Sequence, residues 1–184
     1  HDGPLIVGAG LAGLSAALEA AKAGVRVLVV TPEPLLNACS SAWAQGGMAA
    51  ALTAQDSAER HAKDTEAAGA GLVDPGATRA LTEAGRETVE WLAALGAPFD
   101  RDADGGFVVS LEAAHSVPRV ARVGGDGAGR AILSAVVAAV RAEKLIEVWD
   151  DARLKGLLQD ADGRVVGAVV VRGGRLVEIT ATAV

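Results

Sequence analysis

The chain has 184 residues, of which 51% are hydrophobic and 22% are charged, and its formal net charge is -6 at pH 7. These values predict a globular protein with one good core and exclude a disordered chain. The negative charge argues against a nucleic-acid-binding protein, which needs a basic face. The single cysteine, Cys39, excludes an internal disulfide, and no apolar run reaches the roughly 18 residues of a membrane span. We therefore expect no metal site, no nucleic-acid partner and no membrane partner.

Residues 1–31 predict a strand, a tight turn, a helix and a second strand. In "PLIVGAGLAGLSAALEAAKAGVRVLVV", the short apolar run Leu5–Val7 is typical of a buried parallel strand. A helix should follow over residues 11–23 and end at Gly24, since glycine is favoured just after a helix. The β-branched run over residues 25–30 predicts the next strand. The beginning of the chain therefore predicts an α/β fold with a parallel sheet.

The turn between the first strand and the helix has the pattern G-x-G-x-x-G at Gly8, Gly10 and Gly13. In a dinucleotide-binding protein the first glycine permits the tight turn, the second leaves room for a pyrophosphate, and the third lets the helix pack on the strand. The N-terminus of the helix then offers unpaired N–H groups to the phosphates. The alternative is a helix that needs small residues only for packing. Because strand, helix and second strand all stand at the expected spacing, we favour dinucleotide binding.

The acidic residue that usually holds the ribose, about 20 positions after the turn, is not in its usual place. The second strand ends at Thr31, and Glu33 follows shortly after it. Either side chain could accept a hydrogen bond from the ribose, and we favour Thr31 because it lies at the strand end. No arginine stands here for a 2′-phosphate, which weakens an NADP interpretation.

The stretch "SSAWAQGG" should lie over the carboxyl ends of the strands, where ligands bind in open α/β sheets. Its hydroxyls and Gln45 offer hydrogen bonds, and Gly46 and Gly47 let the backbone lie flat against a planar ring. These features suit an isoalloxazine ring. A Gly-Gly turn beside a core tryptophan would need the same residues, so the spacing alone leaves both interpretations open.

The middle of the chain predicts helices over residues 56–69, 76–95 and 129–144. His61 lies on the charged first of these helices and is expected at the surface. Arg119 and Arg122 could meet a dicarboxylate or form surface salt bridges. From residue 145 onward, β-rich segments separated by the turn signals "DADG" and "RGG" predict a parallel strand that leads into a small antiparallel sheet.

Several stretches together resemble one flavoprotein family: "GAGLAGLSAALEAAKAG", "SSAWAQGGMAA", "DSAERHAKDTEAAGAGLVD", "VEWLAALGAPFDR" and "EAAHSVPRVARVGGDGAGRAI". Over nearly its whole length the chain is similar to the family of L-aspartate oxidases, succinate dehydrogenases and fumarate reductases, and the last stretch is similar to the aspartate oxidases in particular. The resemblance implies a Rossmann-like FAD-binding domain with covering helices and a small antiparallel β appendage. It divides the chain into a βαβ unit (1–31), a flavin loop (32–53), a helical insertion with a substrate-facing loop (54–144) and a β segment (145–184).

The resemblance also implies contacts with FAD, from the pyrophosphate turn to the flavin loop. These contacts are Gly8, Ala9, Gly10, Leu11, Ala12, Gly13, Thr31, Ser40, Ser41, Ala42, Trp43, Ala44, Gln45, Gly46 and Gly47. Ala152 and Arg153, at the start of a later strand, match a segment whose backbone touches the adenine. Ser40 stands where succinate dehydrogenases carry the histidine that bonds covalently to FAD. The resemblance therefore implies that FAD is bound noncovalently.

Glu112 matches the glutamate that faces the amino group of the substrate in aspartate oxidases, and His115 is a second candidate for orienting the substrate. A carboxylate can pair with the ammonium group of aspartate, a group that succinate lacks. The alternative for Glu112 is a solvated loop carboxylate. The sequence departs from the family where Ala113 and Ala114 replace two glycines. We expect Glu112 to help separate an amino-acid oxidase from a succinate enzyme.

The chain ends with "ITATAV", where the family continues into an A-T-G-G loop. The resemblance implies a capping domain beyond that point that supplies the arginine and histidines of catalysis, so we expect no catalytic residue in this chain. The implied reaction is a cytoplasmic, FAD-dependent oxidation of L-aspartate to iminoaspartate in NAD biosynthesis. Oxygen or fumarate would accept the electrons, and quinolinate synthase is an expected partner. The alternatives are a succinate or fumarate oxidoreductase, or a catalytically silent FAD-binding fragment.

Overall fold

The computed structural model describes residues 1–37 and 39–184, and the chain divides into two compact units. Unit 1 contains His1–Trp43 and Leu133–Val184, and unit 2 contains Ala44–Ile132. The α-helices are α1 (Leu11–Lys22), α2 (Ala58–Ala68), α3 (Pro75–Ala94) and α4 (Ala128–Ala142), and the strands are β1 (Leu5–Val7), β2 (Val27–Val30), β3 (Met48–Ala49), β4 (Val109–Ser110), β5 (Val120–Ala121), β6 (Ile146–Trp149), β7 (Ala152–Gln159), β8 (Val165–Arg172) and β9 (Arg175–Thr180). Among the described residues, every helix is too short or too polar to cross a membrane.

A parallel sheet in the order β1-β2-β6 forms the centre of unit 1. All the side chains of β2 are buried, because the strand has a neighbour on each edge and an unbroken apolar sequence that suits burial on both faces. This confirms the predicted parallel sheet. The second strand begins at Val27 and not at residue 25, because the Val25 N–H donates to the Ala20 carbonyl (3.0 Å) in the turn that follows α1.

The C-terminal part of unit 1 is an antiparallel sheet in the order β7-β8-β9, as the turn signals predicted. One face of this sheet packs on the parallel sheet through a shared cluster of buried side chains. The cluster consists of Leu5, Leu28, Val30, Ala152, Ala168, Val170 and Ile179. Since β7 follows β6 almost at once, this packing fixes the start of β7 beside the carboxyl end of β2.

Unit 2 contains the helices α2 and α3 and a small antiparallel sheet in the order β3-β5-β4. Side-chain caps explain where the helices begin: Ser57 accepts from the Arg60 N–H (3.1 Å), and Asp74 accepts from the Ala77 N–H (2.7 Å). Both helices lie within about two residues of the predicted positions. The small sheet was not predicted, because two-residue strands are too short to show a periodic pattern.

Candidate functional site

The glycine-rich turn joins β1 to the N-terminus of α1 in unit 1. Gly8 has a φ of +111°, in the region that favours glycine, and its N–H donates to the Val30 carbonyl (2.9 Å). A Cβ atom at Gly13 would lie 2.2 Å from the Gly8 carbonyl oxygen. No residue larger than glycine could therefore sit at position 13 with this close packing. The tight turn and the close approach of the helix are confirmed, while contact with a pyrophosphate stays a prediction.

The N-terminus of α1 fits a pyrophosphate group. Its N-cap residue, Gly10, makes no side-chain capping bond, and first-turn N–H groups have no partner within the helix. The N–H of Leu11 donates to Ser41 Oγ (3.2 Å), while Ala12 is exposed. A Cβ atom at Gly10 would lie 3.3 Å from Ser41 Oγ, so glycine keeps space open beside these amides. The amides that a helix leaves unpaired in its first turn and the positive end of the helix dipole favour an anion at this place.

Thr31 and Ala152, which come from distant parts of the sequence, lie side by side in unit 1. The Ala152 N–H donates to the Thr31 carbonyl (3.0 Å), and the Thr31 N–H donates to the Trp149 carbonyl (2.9 Å). Thr31 and Ala152 are buried, whereas Arg153 and Glu33 are exposed. The structure thus brings two predicted cofactor contacts together at the carboxyl end of β2. Whether Thr31 or Glu33 holds a ribose stays a prediction.

The predicted flavin loop, residues 32–53, contains a 3-10 turn at Ser40–Trp43 in unit 1 and continues in unit 2 from Ala44. Trp43 is 75% exposed, so the alternative interpretation, a turn beside a core tryptophan, is wrong. In unit 2 the Gly129 N–H donates to the Ala44 carbonyl (2.9 Å). Gln45 and its neighbour Gly46 are exposed. An exposed large aromatic ring next to polar groups is the kind of surface that a ligand covers.

In unit 2, Glu112 lies directly against the backbone of Gly46. A Cβ atom at Gly46 would be 3.0 Å and 3.1 Å from the two carboxylate oxygens of Glu112. Both residues line a cavity of about 350 Å³, and Gln45, Arg122 and Asp126 line it too. The cavity therefore offers carboxylates and a guanidinium in one place. Such a set can pair with a zwitterionic ligand that carries both an ammonium group and carboxylates.

Arg119 lies in a buried ion-pair cluster, so of its two predicted alternatives the surface salt bridge is wrong. Its side chain has no exposed surface. Its Nε and Nη2 atoms donate to the two carboxylate oxygens of Asp56 (2.9 Å each), and Nη1 donates to Asp64 Oδ2 (2.6 Å). Two carboxylates compensate the charge of the buried guanidinium. The exposed Arg122 remains the candidate for meeting a dicarboxylate.

His61 is buried, so its predicted place at the surface is wrong. The charges that suggested exposure, such as the Glu59–Lys63 ion pair, lie on another face of α2. The His61 ring packs edge-on against His115, with 5.6 Å between ring centroids. Burial lowers the pKa of His61, and the positive charge of Arg119 lowers it further. Among the described residues, no group forms a hydrogen bond with His61 Nδ1.

His115 belongs to the same cluster, because its Nδ1 atom lies 3.1 Å from Arg119 Nη1. A guanidinium can only donate, so in a hydrogen bond between these two atoms His115 Nδ1 is the acceptor. Asp64 Oδ2 also accepts from the Ser116 N–H (2.7 Å) and hydroxyl (2.8 Å). The bond from the Ser116 backbone is the main cause that lowers the pKa of Asp64 to about 2. The structure places His115 in this cluster, and contact with the substrate stays a prediction.

The partners of Arg119, Asp56 and Asp64, were not among the predicted site residues. A spacing signal was present, since His61 and Asp64 are three positions apart and share one face of a helix. The cluster holds a cation already, in the form of Arg119. Among the described residues, no group of three His, Cys, Asp or Glu side chains could hold a metal ion.

Comparison with known proteins gives a consistent result. The FAD binding domain family matches residues 4–184. The L-aspartate oxidase of Caulobacter vibrioides is 64% identical over 184 residues, which are 100% of this chain and 36% of that enzyme. The L-aspartate oxidase of Streptomyces coelicolor is 45% identical over 166 residues, which are 90% of this chain and 28% of that enzyme. The chain thus spans about a third of the length of these curated relatives.

Solved structures of similar fold include E. coli quinol fumarate reductase, with a TM-score of 0.92 and 28% identity over 98% of this chain and 31% of that chain. The Mycobacterium smegmatis Sdh1 complex matches with a TM-score of 0.90 and 30% identity over 97% of this chain and 32% of that chain. These likenesses confirm the predicted α/β fold with its parallel sheet, covering helices and antiparallel sheet.

Proposed function

Because the chain belongs to the FAD binding domain family, we propose that it is the flavin-binding part of an L-aspartate oxidase. FAD is its cofactor. The 64% identity to one L-aspartate oxidase over the whole chain supports this choice within the family. The reaction would be the oxidation of L-aspartate to iminoaspartate, a step of NAD biosynthesis. Bound FAD would supply the redox chemistry, and the protein would supply binding and orientation.

The observation that carries the proposal is the position of Glu112 against Gly46. L-aspartate has one ammonium group and two carboxylates. In the cavity, Glu112 can pair with the ammonium group, and Arg122 can pair with a carboxylate. Succinate has no cationic group for Glu112, so it would leave this carboxylate without a partner. The site therefore favours an amino dicarboxylate over a plain dicarboxylate.

The chain's own residues support noncovalent binding of FAD. Serine at position 40 cannot form the covalent bond that a histidine forms there. The pyrophosphate would accept hydrogen bonds from the first-turn amides of α1, beside the space that Gly10 leaves open. Gly46 and Gly47 would lie flat against the flavin. Oxygen or fumarate as acceptor, quinolinate synthase as partner and a cytoplasmic location are proposals that rest on the motif resemblance alone.

A succinate or fumarate oxidoreductase is the second candidate function. It is favoured by the close structural likeness to E. coli quinol fumarate reductase and to the M. smegmatis Sdh1 complex. The identities of 28% and 30% to these structures are lower than the 64% to an L-aspartate oxidase. Two residues are further reasons against a succinate or fumarate oxidoreductase: Glu112 suits an ammonium group, and Ser40 cannot bond covalently to FAD.

The test uses a chimera in which this chain replaces the matching 36% of the Caulobacter vibrioides enzyme. Glu112→Gln should raise the KM for L-aspartate by about tenfold or more, since a charged hydrogen bond is lost. Inhibition by succinate should not change, because succinate has no ammonium group. Glu87→Gln, at an exposed position of α3, is the matched control. A parent chimera that oxidises succinate and not L-aspartate would contradict the proposal.

A further inference from the structure

Glu112 lies in a closed hairpin loop of unit 2. The loop, residues 111–118, joins β4 to β5, and the Arg119 N–H donates to the Ser110 carbonyl (3.1 Å) across its base. Inside the loop, the His115 N–H donates to the Glu112 carbonyl (3.2 Å). Glu112 and His115 therefore begin and end a single turn. Interactions that hold His115 and Ser116 in place therefore also restrain the backbone of Glu112.

This turn contains a strained residue. Ala114 has a φ of +70°, in the left-handed region that residues with a Cβ atom rarely adopt. A conformation of this kind persists only where the surrounding structure holds it in place. The loop is exposed at Glu112, Ala113 and Ala114, so burial does little to hold these three residues in place. The restraint must come from the end of the loop that is packed on α2.

Asp64 on α2 supplies that restraint. Its Oδ2 atom accepts from the Ser116 N–H, from the Ser116 hydroxyl and from Arg119 Nη1, at 2.7, 2.8 and 2.6 Å. Arg119 is held in turn by both carboxylate oxygens of Asp56, and it contacts His115 Nδ1 at 3.1 Å. Charge-assisted bonds of this geometry fix direction as well as distance. Ser116 in the loop and Arg119 just after it thus bond directly to Asp64, and His115 contacts Arg119.

We propose that Arg119 and Asp64 are positioning residues, which hold the loop 111–118 on α2 and thereby fix Glu112 over Gly46 for recognition of the substrate's ammonium group. The inference rests on the proposed function. Arg119 and Asp64 are absent from the described lining of the cavity, so they act through the loop. Their loss should change how well Glu112 meets the substrate without changing how FAD binds.

The test compares two variants of Asp64 in the FAD-loaded chimera. Asp64→Ala removes the acceptor for Ser116, whereas Asp64→Asn keeps an oxygen acceptor and removes the charge. In Asp64→Ala, hydrogen exchange of the Ser116 amide should become faster and the KM for L-aspartate should rise, each by about tenfold or more, with kcat and the Kd of FAD within about twofold. Asp64→Asn should show smaller changes in the same direction. Glu59→Ala, an exposed acid on the same helix, should leave all of these values unchanged.

Arg119→Lys keeps the charge but loses the planar fork that binds both carboxylates. It should also make hydrogen exchange at Ser116 faster and raise the KM for L-aspartate. If this variant does not fold, the two Asp64 variants decide the question. Unchanged exchange at Ser116 in Asp64→Ala would overturn the inference, and so would faster exchange with an unchanged KM for L-aspartate. A parent chimera that does not oxidise L-aspartate would instead contradict the proposed function, and hydrogen exchange would still show whether Asp64 holds the loop.

Discussion

The guanidinium of Arg119 and the carboxylate of Asp56 form a two-point ion pair in which neither side chain is exposed. Both donor–acceptor distances are 2.9 Å. The hydrogen bond to Asp56 raises the pKa of Arg119 above its usual value. A pair of this kind is stable only when it is complete, because removing one partner leaves an uncompensated charge in the interior.

Loss of Arg119 should therefore make the folded protein much less stable. Arg119→Met should lower the free energy of unfolding by about 3–5 kcal/mol, because the carboxylate of Asp56 would stay buried without its partner. The matched control is Arg86→Met in α3, where the ion pair with Glu90 is partly exposed and 3.6 Å long. It should cost less than about 1 kcal/mol. Urea denaturation of the chimera measures the difference, and equal losses in both variants would contradict the burial argument.

The glycine-rich turn predicts two different defects at two positions. Gly10→Ala should fold, since its Cβ atom would meet Ser41 Oγ at 3.3 Å, but it should weaken FAD binding by about tenfold or more by filling the space beside the amides. Gly13→Ala should disrupt folding, because its Cβ atom would lie 2.2 Å from a backbone oxygen. Gly156→Ala, with no atom within 4 Å of the new Cβ, is the control. Fluorescence titration with FAD and a melting curve separate the two defects. Full FAD affinity in Gly10→Ala would argue against a pyrophosphate at this turn.

The strain at Ala114 predicts a stabilising substitution. Ala114→Gly should raise the free energy of unfolding by up to about 1 kcal/mol, because glycine adopts a φ of +70° without a Cβ clash. Ala113→Gly is the matched control at the neighbouring position, which has no positive φ, and it should be neutral or destabilising. Melting curves of the two chimeras compare them directly. A Tm for Ala114→Gly below that of Ala113→Gly would show that position 114 is not strained.

The lowered pKa of His61 predicts that stability depends on pH. Burial is the main cause, Arg119 and His115 add to it, and Asp56 and Asp64 oppose it. Below the usual pKa of 6.5, the unfolded chain binds a proton at this residue that the folded chain does not bind. The stability that comes from keeping His61 neutral in the fold is therefore complete above pH 6.5. It is lost as the pH falls from 6.5 towards the lowered pKa of His61. His61→Leu should flatten that part of the stability profile, measured by urea denaturation between about pH 7 and pH 5. An unchanged slope would contradict the assignment.

The sequence predicted unit 1 well because its signals are local. The unbroken apolar run of β2, the spacing of Gly8, Gly10 and Gly13, and the turn residues between β7, β8 and β9 each specify a conformation through neighbouring residues. Each of these signals reflects backbone sterics or strand burial, so none of the three depends on contacts with distant parts of the sequence.

The buried cluster of unit 2 could not be predicted in the same way, because it is formed by pairs that are 55 and 63 residues apart in sequence. One local signal was present. Arg119 directly precedes Val120 and Ala121, both of which are buried, so its apolar neighbours indicated an inward-facing arginine. Such an arginine requires acidic partners, but the sequence does not say which acids supply them.

We propose that this chain holds FAD and presents Glu112 to an amino dicarboxylate. The most direct measurement is the visible absorbance of the FAD-loaded chimera under anaerobic conditions, before and after addition of L-aspartate or succinate. We expect L-aspartate to bleach the flavin absorbance and succinate to leave it unchanged. Bleaching by succinate but not by L-aspartate, or a chimera that retains no flavin, would contradict the proposed function.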